Sequence, residues 1–327
     1  GVKIAAIASL GLGAAGIAGT LVSGRPAAAY VALFVSTVVV AGLGVSGPVL
    51  SAIFQLTGAK WGRAYRRLAE GSLVLMPLAV AGVLLLLGVG GDYLPWAHAH
   101  HLQGGRSTWL VRGFWDARVL GCLGLAYGVS LWFLYYSFRR DFCLPQVRRR
   151  FDGGLGRWLA RGIEDDAAEA RRCERRLAVL APGVCIVFAT CFSLLGFDLV
   201  MALDPTWIST LFGAWHFIGA LFSGLALLVL ASLGLGRSLP LSHFLTAQRQ
   251  RDLATLLFAF ALVNTDFFWS QYLTIWYGNL PEETSYLITR ERGVGTPWAS
   301  VSWLSLTLFF LVPFSALLFR KVKSTRV

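Results

Sequence analysis

Apolar residues run along this chain in eight long blocks, separated by short polar breaks. The blocks cover roughly 3–22, 28–56, 71–90, 115–137, 177–199, 206–235, 253–279 and 299–319. A helix needs about 20 predominantly apolar residues to cross a bilayer core, so each block predicts a membrane span. The pattern predicts an all-α, polytopic membrane helix bundle. Four spans fall in 1–137 and four in 177–327, with a basic loop, 138–176, between them. Both ends look clipped, because the sequence opens at Gly1 and stops soon after a span. Lys3, the following apolar run and Ala27-Ala28-Ala29 loosely resemble a signal peptide. The run from Ile4 to Val22 exceeds a typical signal core, which favours a true first span.

The 253–279 block has a polar centre of Asn264, Thr265, Asp266, Ser270 and Gln271. Counting about 1.5 Å per residue from Arg251-Asp252 puts Asp266 about 21 Å in, near the midplane. An ionisable group there is costly and usually faces protein or water. Asn264 and Gln271 are spaced to share one helical face, and Asp266 and Ser270 share roughly the opposite one. Both faces therefore predict cover from neighbouring helices. One reading is a proton path through carboxylate, hydroxyl and amide groups; the other is a hydrogen-bonded Asp that fastens helices together. Stripes of small residues, Gly44-Gly47-Ser51 in the second block and Gly13-Gly16-Thr20 in the first, predict close backbone approach. Ser209, His216 and Ser223 recur at heptad spacing beside Gly213 and Gly219, a slightly polar seam.

Charge orients the bundle. Residues are 56% hydrophobic and only 14% charged, against about 25% charged in a soluble domain. The net charge of +12 sits in the breaks rather than on a basic domain, so it argues for membrane topology and against nucleic-acid binding. Eleven arginines lie between 139 and 176, and Lys60, Arg63, Arg66, Arg67, Arg237, Arg249 and Arg251 fall on the same side. The positive-inside rule then places both ends in the cytoplasm. The middle of the basic loop, Gly156 to Arg176, reads as a solvated or lipid-headgroup connector, with a charged interfacial helix as one form and partner docking as the alternative.

Candidate chemistry is sparse. No C-x-x-C pair exists, which argues against a zinc or iron–sulfur site in this chain. His216 is the one histidine inside a predicted span, so a haem with two axial histidines is disfavoured. His98, His100 and His101 cluster in a break, as an interfacial loop or a metal site. Asp198, Asp204, Glu282 and Glu283 gather on the side opposite the arginines, where they either pass protons or cap helices. Trp207, Trp276, Trp298 and Trp303 predict an interfacial aromatic belt.

Three segments carry a family resemblance. They are Gly196-Phe197-Asp198 through Asp204-Pro205-Thr206-Trp207 to Gly213, Ser270-Gln271-Tyr272 through Trp276 to Leu280-Pro281-Glu282-Glu283-Thr284, and Gln55 to Trp61 with Arg66-Arg67-Leu68-Ala69-Glu70. Across most of its length the chain resembles the ActF-type subunits of alternative complex III, within the NrfD / polysulfide-reductase membrane subunits. The resemblance implies two four-helix bundles and membership of a bacterial quinol-oxidising respiratory complex in the inner membrane. It implies partners: an ActC-like membrane subunit, an iron–sulfur subunit, cytochrome c subunits and a terminal oxidase, with lipids around them. Haem c and iron–sulfur clusters would sit on those partners, with no redox cofactor of this chain's own and contact with a quinone such as menaquinone left open. Family members have about ten spans, which agrees with a clipped chain. The family is proposed to carry proton half-channels; here the relay would use Asp266, Asn264, Gln271, Ser270 and His216, with Asp198, Asp204, Glu282 and Glu283 at the exit. The chain departs from the family's aromatic-rich stretch at Asn264-Thr265-Asp266, which makes Asp266 a local substitute. A secondary transporter, built on midplane ionisable groups, and a purely structural membrane anchor are the alternatives.

Overall fold

A computed structural model describes residues 22–89, 93–98, 105–204, 207–236, 245–292 and 297–319, with isolated positions between 13 and 20 and at 323 besides. Among these residues every regular element is helical. Seven helices are long and apolar enough to cross a membrane, the architecture of a multi-pass membrane protein. They are α1 (Pro26–Leu56), α2 (Arg66–Val89), α3 (Arg112–Phe142), α6 (Asp166–Leu203), α7 (Phe212–Gly236), α8 (Ala247–Gly278) and α10 (Trp298–Leu318). Short helices α4 (Pro145–Arg150) and α5 (Gly154–Ala160) precede α6, and α9 (Pro281–Arg292) joins α8 to α10. The seven correspond to the last seven predicted spans; the span predicted at 3–22 lies mostly outside the described residues. Below, the basic end is the end carrying residues 139–176, and the far end is the opposite one.

Helix α1 is the hub. It packs against α2, α3, α6 and α7, and Thr37, Ala41, Val45, Val49 and Ala52 are buried along it. The small-residue stripe predicted there is a contact surface. A Cβ on Gly47 would lie 1.8 Å from the Ala69 carbonyl oxygen, so the chain entering α2 rests directly on this glycine. A Cβ on Gly44 would lie 2.7 Å from Tyr127 Oη, and Ser51 reaches Glu70. Pro48 lacks the amide that would bond the Gly44 carbonyl four residues back. Ser72 fills the gap: its Oγ donates to Gly44 O at 3.1 Å and accepts from Gly47 N at 3.2 Å. One hydrophobic cluster, with Tyr65, Trp115, Tyr127, Phe133 and Phe192 nearly inaccessible, takes residues from both sides of 138–176.

The basic segment is mostly helical, in keeping with the charged-helix form of its reading. Residues 139–142 extend α3, α4 and α5 follow, and from Asp166 the chain is one continuous helix into the bundle. Asp165 starts that helix by accepting from the amides of Ala167 and Ala168. Those two hydrogen bonds, that of Ala168 first, hold its carboxyl below the usual range. The helix forms because part of the charge is used internally. Arg139 is buried, donating to Glu169 Oε1 at 2.6 Å and to the carbonyls of Leu159 and Arg161. At the far end α6 loosens into a π-turn at Gly196–Val200 and a short 3-10 turn at Met201–Leu203. Helix α7 begins at Phe212, six residues later than predicted.

Candidate functional site

Two buried carboxylates stand at opposite ends of the bundle. At the basic end Glu70 is the first acidic residue of the chain, and its side chain has no exposure. Its Oε1 accepts from Ser51 at 2.7 Å, Ser137 at 2.7 Å and Arg66 Nε at 3.0 Å, and its Oε2 accepts from Arg67. Arg66 continues to Gln55 and Ser137, and Arg67 to Ser137 and Asp141, which it meets at 2.6 Å. The residues come from α1, α2 and α3, so the network ties three helices at one point. Truncating one member would leave a buried charge unpaired, which is why such networks tolerate little change. In the sequence Glu70 stands out only within the Arg66–Glu70 motif, and Arg66 and Arg67 also as topology signals. The arginine–glutamate spacing of three and four residues was the visible hint.

At the far end the π-turn brings Asp198 into the bundle, 1% exposed. Arg118 on α3 meets it with both fork nitrogens: Nε to Oδ2 and Nη2 to Oδ1, each at 2.8 Å. Trp109 Nε1 donates to Oδ1 at 2.8 Å, and Trp115 Nε1 donates to the Asp198 carbonyl at 2.9 Å. The guanidinium lies 3.8 Å from the Trp109 ring centroid and 4.4 Å from that of Phe114. This is bidentate, aromatic-walled arginine recognition of a carboxylate. π-Turns recur at functional positions, since the extra residue re-aims side chains. Arg118 and Ser137 are both on α3, so about 28 Å of helix separates the two centres. Between them the interior is apolar apart from groups such as Tyr127, whose hydroxyl donates to Ala41 O at 3.1 Å, and Ser130, which donates to Ala126 O.

The other predicted site residues fall into three settings. Gln271 is buried between α7 and α8, where its Oε1 accepts from Ser209 at 2.9 Å. Asn264 shares that face, and its Oδ1 lies 3.4 Å from where a Cβ on Gly219 would be. That Oδ1 is buried and accepts no hydrogen bond among the described residues. His216 on α7 packs on Gly196, at the start of the π-turn, and stacks on Phe192 with ring centroids 6.3 Å apart. Thus His216, Asn264 and Gln271 belong to the far half of the α6–α7–α8 seam, while Asp198 turns to α3.

Asp266 does not. It is exposed and makes no hydrogen bond or ion pair among the described residues, so the expectation that this chain's own helices enclose it is corrected. The predicted opposition of the two polar faces holds: Asn264 and Gln271 point to α7, which turns Asp266 outward. Ser270 beside it is half-buried, its carbonyl accepting from Thr274.

At the far rim Asp204 and Glu283 are half-buried; Glu282 lies in α9, its side chain outside the described residues. His100 and His101 lie outside them too, as does the side chain of His98. Trp207 is a correction to the aromatic belt: it is buried, its ring stacked on Tyr286 at 3.8 Å and 6°. Arg290 caps the same Tyr286 ring at 3.4 Å. Burial pushes the Tyr286 phenol up, partly opposed by Arg290. Trp276, Trp298 and Trp303 are exposed, as a belt requires. Among the described residues no three His, Cys, Asp or Glu side chains converge as a metal site. Compared with models of known protein families and with curated proteins, the chain matches none.

Proposed function

We propose that this chain is the ActF-type membrane subunit of an alternative complex III, a quinol:cytochrome c or terminal-oxidase oxidoreductase of a bacterial inner membrane. Its basic end faces the cytoplasm, as positive charge between spans favours. Electron transfer runs on the partners, through their iron–sulfur clusters and haem c. This chain holds the bundle together through its two carboxylate centres and carries protons along the far half of the α6–α7–α8 seam. The observation that carries this reading is the π-turn at Gly196–Val200, where Gly196 packs on His216 while Asp198 is held by Arg118, within the segment on which the family resemblance rests. The seam also keeps amide groups in the membrane interior, one with an unpaired acceptor at Asn264, and buried polar groups of that kind mark ion and proton routes.

The test is purification of the chain from its native membranes, followed by reconstitution into vesicles. Multi-haem cytochrome c and iron–sulfur subunits co-purify, and quinol drives both cytochrome reduction and proton release. Asn264→Leu and Gln271→Met lower the protons released per electron and leave quinol turnover in place. An unchanged ratio in both variants overturns the proton role. Purification without redox partners overturns the complex.

A further inference from the structure

We infer that the basic end of α6 is a phospholipid site: three arginines on its outward face bind the phosphate of an anionic headgroup, and the apolar surface below them takes an acyl chain. The inference uses only the passage of α6 through the bilayer, so it stands apart from the complex named above. Helix α6 buries Cys173, Leu177, Ala181, Val184 and Phe188. The helical period puts Arg172, Arg175, Val179 and Ile186 on the opposite side, with Arg176 and Gly183 at its edge. All three arginines are exposed, and Val179 and Ile186 are 73% and 66% accessible. With Arg171 and Ala168 the three line an open pocket of about 430 Å³. Gly183 leaves a notch between Val179 and Ile186, since open space surrounds the place its Cβ would take. From Arg175 to Ile186 is about 16 Å of helix, the depth of one leaflet's hydrocarbon.

Register places the arginines at headgroup depth. Arg139 on α3 pairs with Glu169 on α6 at 2.6 Å, and the two helices run in opposite directions. One turn further in stand Tyr135 on α3 and Cys173 on α6, so Arg172, Arg175 and Arg176 bracket the level of Tyr135. Tyr135 packs on the exposed Trp158 of α5 with ring centroids 5.2 Å apart. Leu155 of α5 and Phe151 before it are exposed too. Such a short amphipathic helix lies in the membrane interface, where Trp and Tyr concentrate. The positive charge at this level is unanswered from within the chain. Arg175 and Arg176 make no hydrogen bond or ion pair among the described residues. Arg172 reaches Glu169 at 3.6 Å, but Arg139 already engages that carboxylate. Glu174, two residues from both Arg172 and Arg176, points away from them. The acids whose side chains lie outside the described residues are Asp92 and Glu282, which follow α2 and α8 at the far end. A lipid phosphate supplies the anion, and arginine forks suit it. An acidic soluble protein fits less well, because the exposed surface continues below the arginines as Val179 and Ile186, inside the bilayer.

The experiment places a photo-reactive benzoylphenylalanine at Val179, with exposed Leu84 on α2 as control, in the chain together with any subunits that purify with it. The sample sits in nanodiscs of equal parts phosphatidylcholine and phosphatidylglycerol, and adducts are identified by mass spectrometry. At Val179 phosphatidylglycerol adducts should outnumber phosphatidylcholine adducts at least about fivefold, the factor matching ~1 kcal/mol for one arginine at an anionic lipid surface. Arg172→Gln, Arg175→Gln and Arg176→Gln together should return Val179 to an even ratio. The corresponding triple Lys variant keeps the charge and should keep the preference. All three side chains are exposed, so neither variant disturbs the core. An even ratio in the parent, as a free phosphate on the arginines would give, overturns the inference. So does an equal preference at Leu84, a preference that survives the Gln variant, or adducts to a protein segment in place of lipid. Each of these results leaves the subunit reading untouched, since that rests on which redox proteins co-purify.

Discussion

Replacing Asp198 and Arg118 singly and together measures what ties α3 to the far end of α6. The pair is bidentate at 2.8 Å, and its side chains are 1% and 11% exposed. Asp198→Leu leaves the Arg118 guanidinium buried without its carboxylate, although Trp109 and Phe114 still face it. Breaking such a pair costs about 3–5 kcal/mol, and the aromatic contact places this variant near the lower end. Arg118→Met leaves Asp198 with only the Trp109 N–H on its carboxylate, and the same range applies. The double variant removes both charges and substitutes apolar volume, which is often neutral or better. Its remaining cost is the unpaired Trp109 N–H, about 1–3 kcal/mol. Each single variant should therefore be less stable than the double, with a coupling energy of about 3 kcal/mol or more. Unfolding of the purified chain in mild detergent, followed by near-ultraviolet dichroism, gives the four free energies. Coupling below about 1 kcal/mol, the scale of an exposed pair, would refute the reasoning.

Three further outcomes are expected. Gly47→Ala forces its Cβ against the Ala69 carbonyl, and separating α1 from α2 should cost at least about 1–3 kcal/mol in the same unfolding assay. Tyr65→Phe should be neutral or stabilising by up to about 1 kcal/mol, because the buried Tyr65 hydroxyl has no hydrogen-bond partner among the described residues; burial pushes that phenol up to about 12, so the difference should not change between pH 6 and 9. Asp165 has a lowered folded-state carboxyl, so its contribution is complete above the ordinary carboxylate range and is lost as pH falls through that lower value. Amide exchange at Ala167 and Ala168 should therefore be faster in Asp165→Ala than in the parent at pH 7, and the two should converge in strong acid.

Helix identity was legible along the chain because it is a local property. In a bilayer a helix satisfies its backbone within its own segment, so a run of apolar residues is enough to announce it. Residue spacing was equally reliable: Gly44, Gly47 and Ser51 had to share a face, and Gly47 and Ser51 meet the start of α2 while Gly44 meets Tyr127 on α3. Azimuth was not legible. The spacing in α8 set Asn264 and Asp266 on different faces but could not say which face met α7, since that depends on what the neighbour offers. Glu70 shows the same division, because its burial depends on Ser51 and Ser137, 19 and 67 residues away in sequence. Most arginines of 139–176 are exposed, as a solvated connector requires, and the burial of Arg139 was hidden because Glu169 and two carbonyls reach it from 20 to 30 residues away. Composition and period determined that the chain is a stack of apolar helices. Packing alone decided which polar groups meet, since pairing across helices is long-range and leaves no mark in any one segment.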